Sequence, residues 1–242
     1  MATSEICADL RSREAADDLV RAGRERLYPG ISNPNWCILR NRREIFRRWF
    51  DALHLQNASV LDVGGRIQPY RELIPFTHTY WSIDVRKTAL VNVLANAEDL
   101  PFADNSVDIV ICTQMIEYVT DPSALAREIH RVLRVGGSLF LSAPSIFPRD
   151  SDQDRWRFFP VALGQLFGTF SELEIIPECA SVAGFLRTIA VIAQFWARYD
   201  AVRFVLGRSL IPLLNICGYL GETVSSTKDG SFTVNYSVRA VK

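Results

Sequence analysis

"VLDVGGRIQPYREL", residues 60–73, reads as a buried strand running into a glycine turn and then the start of a helix. In that arrangement backbone N–H groups stand unpaired beyond the strand's carboxyl end, and a chain without Cβ atoms lets a ligand come close. Short apolar runs follow at "YWSIDV" (80–85), "LVNVLA" (90–95), "VDIVICT" (107–113) and "SLFLSAP" (138–144), each rich enough in β-branched and aromatic residues for a strand. "DPSALAREIHRVLRVGG" (121–137) predicts a helix in which Asp121 is the cap, Pro122 suits the first position, and Gly136 and Gly137 end it. Strands buried on both faces and alternating with helices imply an α/β domain with an open, mostly parallel sheet. Ligands bind such sheets outside the carboxyl ends of the strands, at the topological switch point.

The flanks extend this domain. Residues 161–170 read as a helix, "LEIIPE" (173–178) as a strand, and "SFTVNYSVRAVK" (231–242) as a last strand introduced by the turn "KDGS" (228–231). Between these strands, residues 183–222 hold two charge-free stretches, "TIAVIAQFWA" and "SLIPLLNICGYLG". Each is shorter than the roughly 20 residues that cross a bilayer. They predict helices over the core or a homodimer surface, with a peripheral membrane contact and an acceptor-binding lid as the alternatives. Residues 1–55 form an N-terminal helical cap on the domain at 56–242. In its second helix Trp36, Leu39, Ile45, Phe46, Trp49, Phe50 and Leu53 make an apolar face, and Arg40, Arg42, Arg43, Arg47 and Arg48 lie mostly on the other, read as a solvated face in preference to one that touches a phosphate-bearing partner.

Composition narrows the class. The 242 residues carry 27 basic and 27 acidic side chains, which excludes a nucleic-acid-coating charge, and 48% are hydrophobic, which excludes disorder. Cys7, Cys37, Cys112, Cys179 and Cys217 are scattered without a C-x-x-C, as expected for reduced thiols in the cytoplasm. His54, His78 and His130 are equally dispersed, so no metal site is expected. The N-terminal segment is charged from residue 5 and lacks the apolar stretch of a signal peptide.

The chemistry starts from Asp62, Gly64 and Gly65 at the first strand's end and Asp84 at the second's. An acid about 20 residues downstream of the glycines can accept both hydroxyls of a ribose, so the pair indicates a nucleoside-containing ligand. A dinucleotide site needs G-x-G-x-x-G. The chain reads Gly64-Gly65-Arg66-Ile67-Gln68-Pro69 and has no G-x-x-x-x-G-K-[ST] either, which argues against nicotinamide-dependent oxidoreductases and nucleotide triphosphatases.

"VLDVGGR", "SIDV", "NAEDLPFADNSVDIVICTQMIEYVTDP" and "EIHRVLRVGGSLFLSAP", in order over 60–144, resemble the successive motifs of class I S-adenosylmethionine-dependent methyltransferases, in particular the small-molecule branch labelled type 11. "DRWRFFP" (154–160) resembles a segment of methyltransferases from bacterial glycan and polysaccharide gene clusters. The resemblance implies a Rossmann-like fold with a seven-stranded sheet, an antiparallel last strand and helices on both faces. It also implies S-adenosylmethionine as cofactor and in-line methyl transfer, by O-methylation, to a small-molecule or glycan acceptor. Asp62, Gly64 and Gly65 would line the methionine portion and Asp84 would hold the ribose. Asn96 and the Ala97 backbone would meet the adenine edge, Glu98, Asp99 and Leu100 would complete that wall, and Thr113 and Gln114 would lie near the sulfonium. Arg66, where a third small residue is usual, would close over the methionine carboxylate or point to solvent. Base candidates are Asp152 and Asp154, then Glu117 and Tyr118. Arg155 and Arg157 would orient a sugar or phosphate, and Trp156 and Phe158 would either stack on a sugar or anchor their loop. Asn96 stands where the family usually has Asp, and Tyr118 where it has His. These departures leave open a second reading, a cofactor-binding partner subunit of the same fold without turnover.

Overall fold

The computed structural model describes residues 2–146, 148–149, 151–224 and 231–242, so most of the turn expected at 228–231 lies outside the described residues. The elements are, in order, α1 (Ala2–Leu27), α2 (Trp36–Asp51), β1 (Ala58–Val63), β2 (Thr77–Asp84), β3 (Val93–Leu94), β4 (Val107–Thr113), α3 (Pro122–Val132), β5 (Leu133–Pro144), α4 (Pro160–Leu166), β6 (Glu172–Pro177), α5 (Ser181–Trp196), α6 (Asp200–Arg208), α7 (Leu210–Val224) and β7 (Asn235–Val241). The strands form one seven-stranded sheet in the order β3-β2-β1-β4-β5-β7-β6, parallel except for β7, which runs against both its neighbours. The order reverses between β1 and β4, so the switch-point crevice opens at Val63 and Thr113. This is the architecture the sequence implies.

Several boundaries differ, three of them for reasons that local chemistry supplies. β3 has two residues, because the Asn92 side chain accepts the Ser82 N–H at 3.0 Å and takes the place of a ladder bond. α3 stops at Val132, and the chain enters β5 through a bulge where Gly136 adopts φ 79°. The helix expected after β1 is only a 3-10 turn, Arg71–Leu73. Pro69 and Pro75 bracket residues 70–74, too few for a stable α-helix, and the residue before a proline avoids helical ψ.

α2 supplies the missing layer. Its Phe46, Trp49 and Phe50 pack on Val60, Ile109, Ile111 and Phe140, and the Phe50 and Phe140 rings meet edge to face with centroids 4.7 Å apart. On the opposite face α3, α4 and the Phe167 that follows it bury Leu125, Ile129, Val132, Leu163 and Phe167 against Leu61, Val110, Leu139 and Leu141. α5 to α7 do not cover that core. They leave Phe185, Phe195, Trp196, Tyr199, Phe204, Leu213 and Leu220 exposed. α6 and α7 together make a run, Asp200–Val224, that is long and apolar enough to cross a membrane, longer than either charge-free stretch taken alone.

Candidate functional site

At the carboxyl ends of β1, β2 and β4 lies a cavity of about 740 Å³. Gly64, Arg66, Asp84, Asn96, Ala97, Glu98 and Gln114 line it, as do Tyr118 and Asp152. The two glycines have separate tasks. Gly64 adopts φ 81°, and a Cβ there would come within 2.7 Å of the Met115 side chain. A Cβ on Gly65 would meet the Asp62 carboxyl at 2.7 Å and the Ser82 hydroxyl at 2.8 Å. Asp62 and Gly65, expected to line the methionine portion, and Thr113, expected near the sulfonium, are not among the residues lining this cavity. Asp62 is buried beneath the turn, accepting the Tyr80 hydroxyl at 2.7 Å, and Thr113 is still paired with Ser142 in the sheet. Gln114 bends away instead, at φ 52°, its N–H donating to the Ser142 carbonyl at 2.9 Å and its Nε2 to the Ser142 hydroxyl at 3.1 Å. A non-glycine residue with positive φ is strained, and such strain concentrates at functional sites.

Burial pushes the Asp62 carboxyl up to about 7, with the Tyr80 hydrogen bond opposing and the nearby charge of Asp84 adding. The folded state then holds a proton that the unfolded chain has already lost. Stability from this group falls as pH rises from about 4, where the unfolded carboxyl ionises, towards about 7. Asp62→Asn is expected to flatten that part of the decline in melting temperature, measured by differential scanning fluorimetry across this range. An unchanged slope would show that Asp62 is not the titrating group.

Asp84 ends β2 with its carboxylate turned to the cavity. The Arg86 N–H donates to Oδ1 at 2.8 Å, and Arg66 Nε lies 3.2 Å from Oδ2. Arg66 thus pairs with Asp84, the acid expected to hold a ribose, and is half exposed to solvent. Arg66 is 48% exposed, and a pair this open contributes about 0–1 kcal/mol, whereas each hydrogen bond to a charged group is worth about 1.5–3 kcal/mol. Two ribose hydroxyls would displace it. On the opposite wall Asn96 and Glu98 bond to each other, the Glu98 N–H to Asn96 Oδ1 at 3.1 Å and Asn96 Nδ2 to Glu98 Oε2 at 3.2 Å, while Glu98 Oε1 accepts the Asp121 N–H. Asp99 is exposed, Leu100 is buried, and neither lines the cavity.

A second cavity, about 510 Å³, shares Arg66, Gln114 and Tyr118 with the first. Of the base candidates, Glu117, Tyr118 and Asp154 line it, while Asp152 sits fully exposed at the rim of the first cavity, paired with Arg149. Glu117 is carried on the 3-10 turn Ile116–Tyr118, and its buried Oε2 has no hydrogen-bond partner. Burial raises this carboxyl to about 8, its own backbone N–H opposing and the charge of Asp154 adding. Asp154 is clamped by both terminal nitrogens of Arg157. Trp156 donates to the Val119 carbonyl at 2.9 Å and Phe158 is buried in the core, so these aromatics anchor the loop.

Arg26 and Arg42 line this cavity, although the sequence reading assigns neither of them a role in a site. Arg42, assigned there to a solvated face, is 1% exposed, and its Nε and Nη2 each donate to Glu178 at 2.8 Å. Glu178 also accepts from the hydroxyls of Ser142 and Ser237, so a buried network runs from Arg42 through Glu178 and Ser142 to Gln114. The available signal was spacing: Arg42 falls on the stripe of Ile38, Ile45 and Trp49, an isolated charge among core positions. Arg26 enters from α1, which lies so close to the loop after β1 that a Cβ on Gly23 would stand 2.2 Å from the Ile67 carbonyl oxygen. The apolar helices at 183–222 line neither cavity but contact the 31–35 loop beside the second. They brace it: Arg187 donates to Asn35 Oδ1 at 2.6 and 2.8 Å, and Asn215 Nδ2 to the Ile31 and Asn33 carbonyls at 2.7 and 2.9 Å.

The sheet order with its antiparallel β7, the glycine turn after β1 and the acid ending β2 define the Rossmann-like class of S-adenosylmethionine-dependent methyltransferase folds. Residues 64–141 match the family described as "Methyltransferase domain". Malonyl-[acyl-carrier protein] O-methyltransferase of Laribacter hongkongensis is 27% identical over 114 residues, covering 47% of this chain and 38% of that protein. A ubiquinone/menaquinone biosynthesis C-methyltransferase of Klebsiella pneumoniae is 41% identical over 69 residues, 27% of this chain and 28% of that protein. The chain thus spans less than half the length of these curated relatives. Among solved structures, a SAM dependent methyltransferase from Archaeoglobus fulgidus superposes with a TM-score of 0.52 at 16% identity, over 90% of this chain and 97% of that one. The [4+2]-cyclase SpnF does so at 0.53 and 16% identity, over 83% and 82%.

Proposed function

We propose that this chain transfers a methyl group from S-adenosylmethionine to an oxygen of a small-molecule or glycan acceptor. The observation that carries the reading is the pair of cavities meeting at Gln114 and Tyr118, one with the features of a nucleoside site and the other lined by Glu117, a buried carboxyl whose Oε2 has no hydrogen-bond partner. The residues of the first cavity fit the cofactor: Asp84 offers a carboxylate to a ribose, and the turn at Gly64 has no cradle for a pyrophosphate. Gly64 and Gln114 would hold the methionine end and Asn96 to Glu98 the adenine. When bound, the cofactor supplies an electrophilic methyl on a positively charged sulfur.

The protein's own part is alignment and proton removal. Forming the C–O bond would break the S–CH3 bond, S-adenosylhomocysteine leaving with its electron pair, and free the hydroxyl proton, which Glu117 in its ionised form would take. A base must be deprotonated, and this one is raised to about 8, so the rate is expected to climb with pH through about 8 and then level. A pH–rate profile checks this, and a flat profile would remove Glu117 as the base.

The relatives are named for both O- and C-methylation, and the polar lining of the second cavity supports oxygen. The fold also carries a protein titled a cyclase, so fold alone does not establish transfer, and the partner-subunit reading is tested alongside. Incubation with methyl-labelled S-adenosylmethionine and a cell extract separates the two. Label on an acceptor supports transfer, and cofactor binding with no labelled product supports the partner subunit.

A further inference from the structure

The second cavity holds more unpaired buried polar atoms than a base alone accounts for. Arg26 Nε, Arg42 Nη1, Glu117 Oε2 and Asn235 Oδ1 are all sealed from solvent without a hydrogen-bond partner, and all four residues line it. Each orphaned group costs about 1–3 kcal/mol, more if charged, and four of them on residues that line one cavity point to a ligand whose polar groups engage those side chains. The charges sharpen the point. Glu178 offsets Arg42 and Arg157 offsets Asp154, while Arg26 has no carboxylate within ion-pair distance among the described residues. Arg26 lies close enough to Arg42 that burial, and then the neighbouring guanidinium, disfavours its charged form. An anion between the two guanidiniums relieves both penalties. An apolar ring would leave all four groups unpaired.

We infer that the second cavity binds an acceptor that is a small hydroxylated molecule bearing an oxyanion, a carboxylate or a phosphate, held between Arg26 and Arg42, with its hydroxyls on Asn235 and Glu117. This rests on the reading of the cavity as the acceptor side of a methyltransferase. At about 510 Å³ it is of the size that holds small ligands.

The test titrates glucuronate, glucose 6-phosphate and glucose into the full chain by calorimetry, with and without saturating S-adenosylhomocysteine. At least one anionic sugar is expected to bind about tenfold or more tightly than glucose. A preference for glucuronate assigns the oxyanion as a carboxylate, and a preference for glucose 6-phosphate as a phosphate. Arg26→Gln is the informative variant, because Arg26 anchors no ion pair and Arg42 replacement would strand Glu178 inside the fold. It should erase the preference while leaving S-adenosylhomocysteine affinity intact, and Arg26→Lys should restore part of it. Glucose binding as tightly as both anions, or an Arg26→Gln protein that keeps the preference, would overturn the inference. Failure of S-adenosylhomocysteine to bind would instead strike the cofactor reading, and the titrations without it still decide the oxyanion question.

Discussion

Asp84→Ala is expected to weaken S-adenosylhomocysteine binding about 100-fold. Two hydrogen bonds from ribose hydroxyls to an ionised carboxylate are worth about 1.5–3 kcal/mol each, and each 1.4 kcal/mol is tenfold in affinity. The half-exposed Arg66 loses its ion-pair partner, the exposed Arg86 N–H loses an acceptor that water can replace, and Asp62 loses a neighbouring negative charge, so the fold should not suffer. Asp84→Asn keeps one neutral acceptor, and a loss of about tenfold is expected. Calorimetry on the three proteins gives the comparison, and undiminished affinity in the alanine variant would refute the ribose assignment.

Glu117→Gln is expected to lower kcat by about two to four orders of magnitude, the usual contribution of a positioned general base. Cofactor affinity should stay unchanged, because Glu117 lines only the second cavity. A second readout separates this role from a structural one. Burial makes the ionised carboxyl unfavourable in the fold, so its stability contribution falls as pH rises from the unfolded value near 4 to about 8. Glutamine, nearly isosteric, carries no such penalty. The variant should melt at a higher temperature than the parent at pH 7 while losing turnover. A drop in both would mean that Glu117 supports the fold.

Much of this site was legible in the sequence because its signals are local. Continuous apolar runs with β-branched residues mark parallel strands buried on both faces, and β1 and β4 follow them closely, while β2 and β5 begin at Thr77 and Leu133, ahead of their runs. Gly64 and Asp84 stand at strand ends, where the switch-point rule puts a ligand. What escaped is non-local. The partnership of Arg42 with Glu178 spans 136 positions and leaves only one guanidinium on an apolar stripe and one acid closing an apolar strand as traces. Neither the docking of α2 in place of a helix after β1, nor the approach of α1 to Ile67 over Gly23, has a periodicity of its own. Arg66 was ambiguous because its partner was chosen by the three-dimensional turn at Gly64 and Gly65. The bracing of the 31–35 loop by Arg187 and Asn215 depends on helices whose composition speaks only of burial.

The central claim is that the cavity at the ends of β1, β2 and β4 is an S-adenosylmethionine site. Calorimetric titration of the full chain with S-adenosylhomocysteine and, separately, with NAD tests it most directly. One S-adenosylhomocysteine per chain with no binding heat from NAD is the predicted result. Binding of NAD, or no binding of S-adenosylhomocysteine, would contradict it.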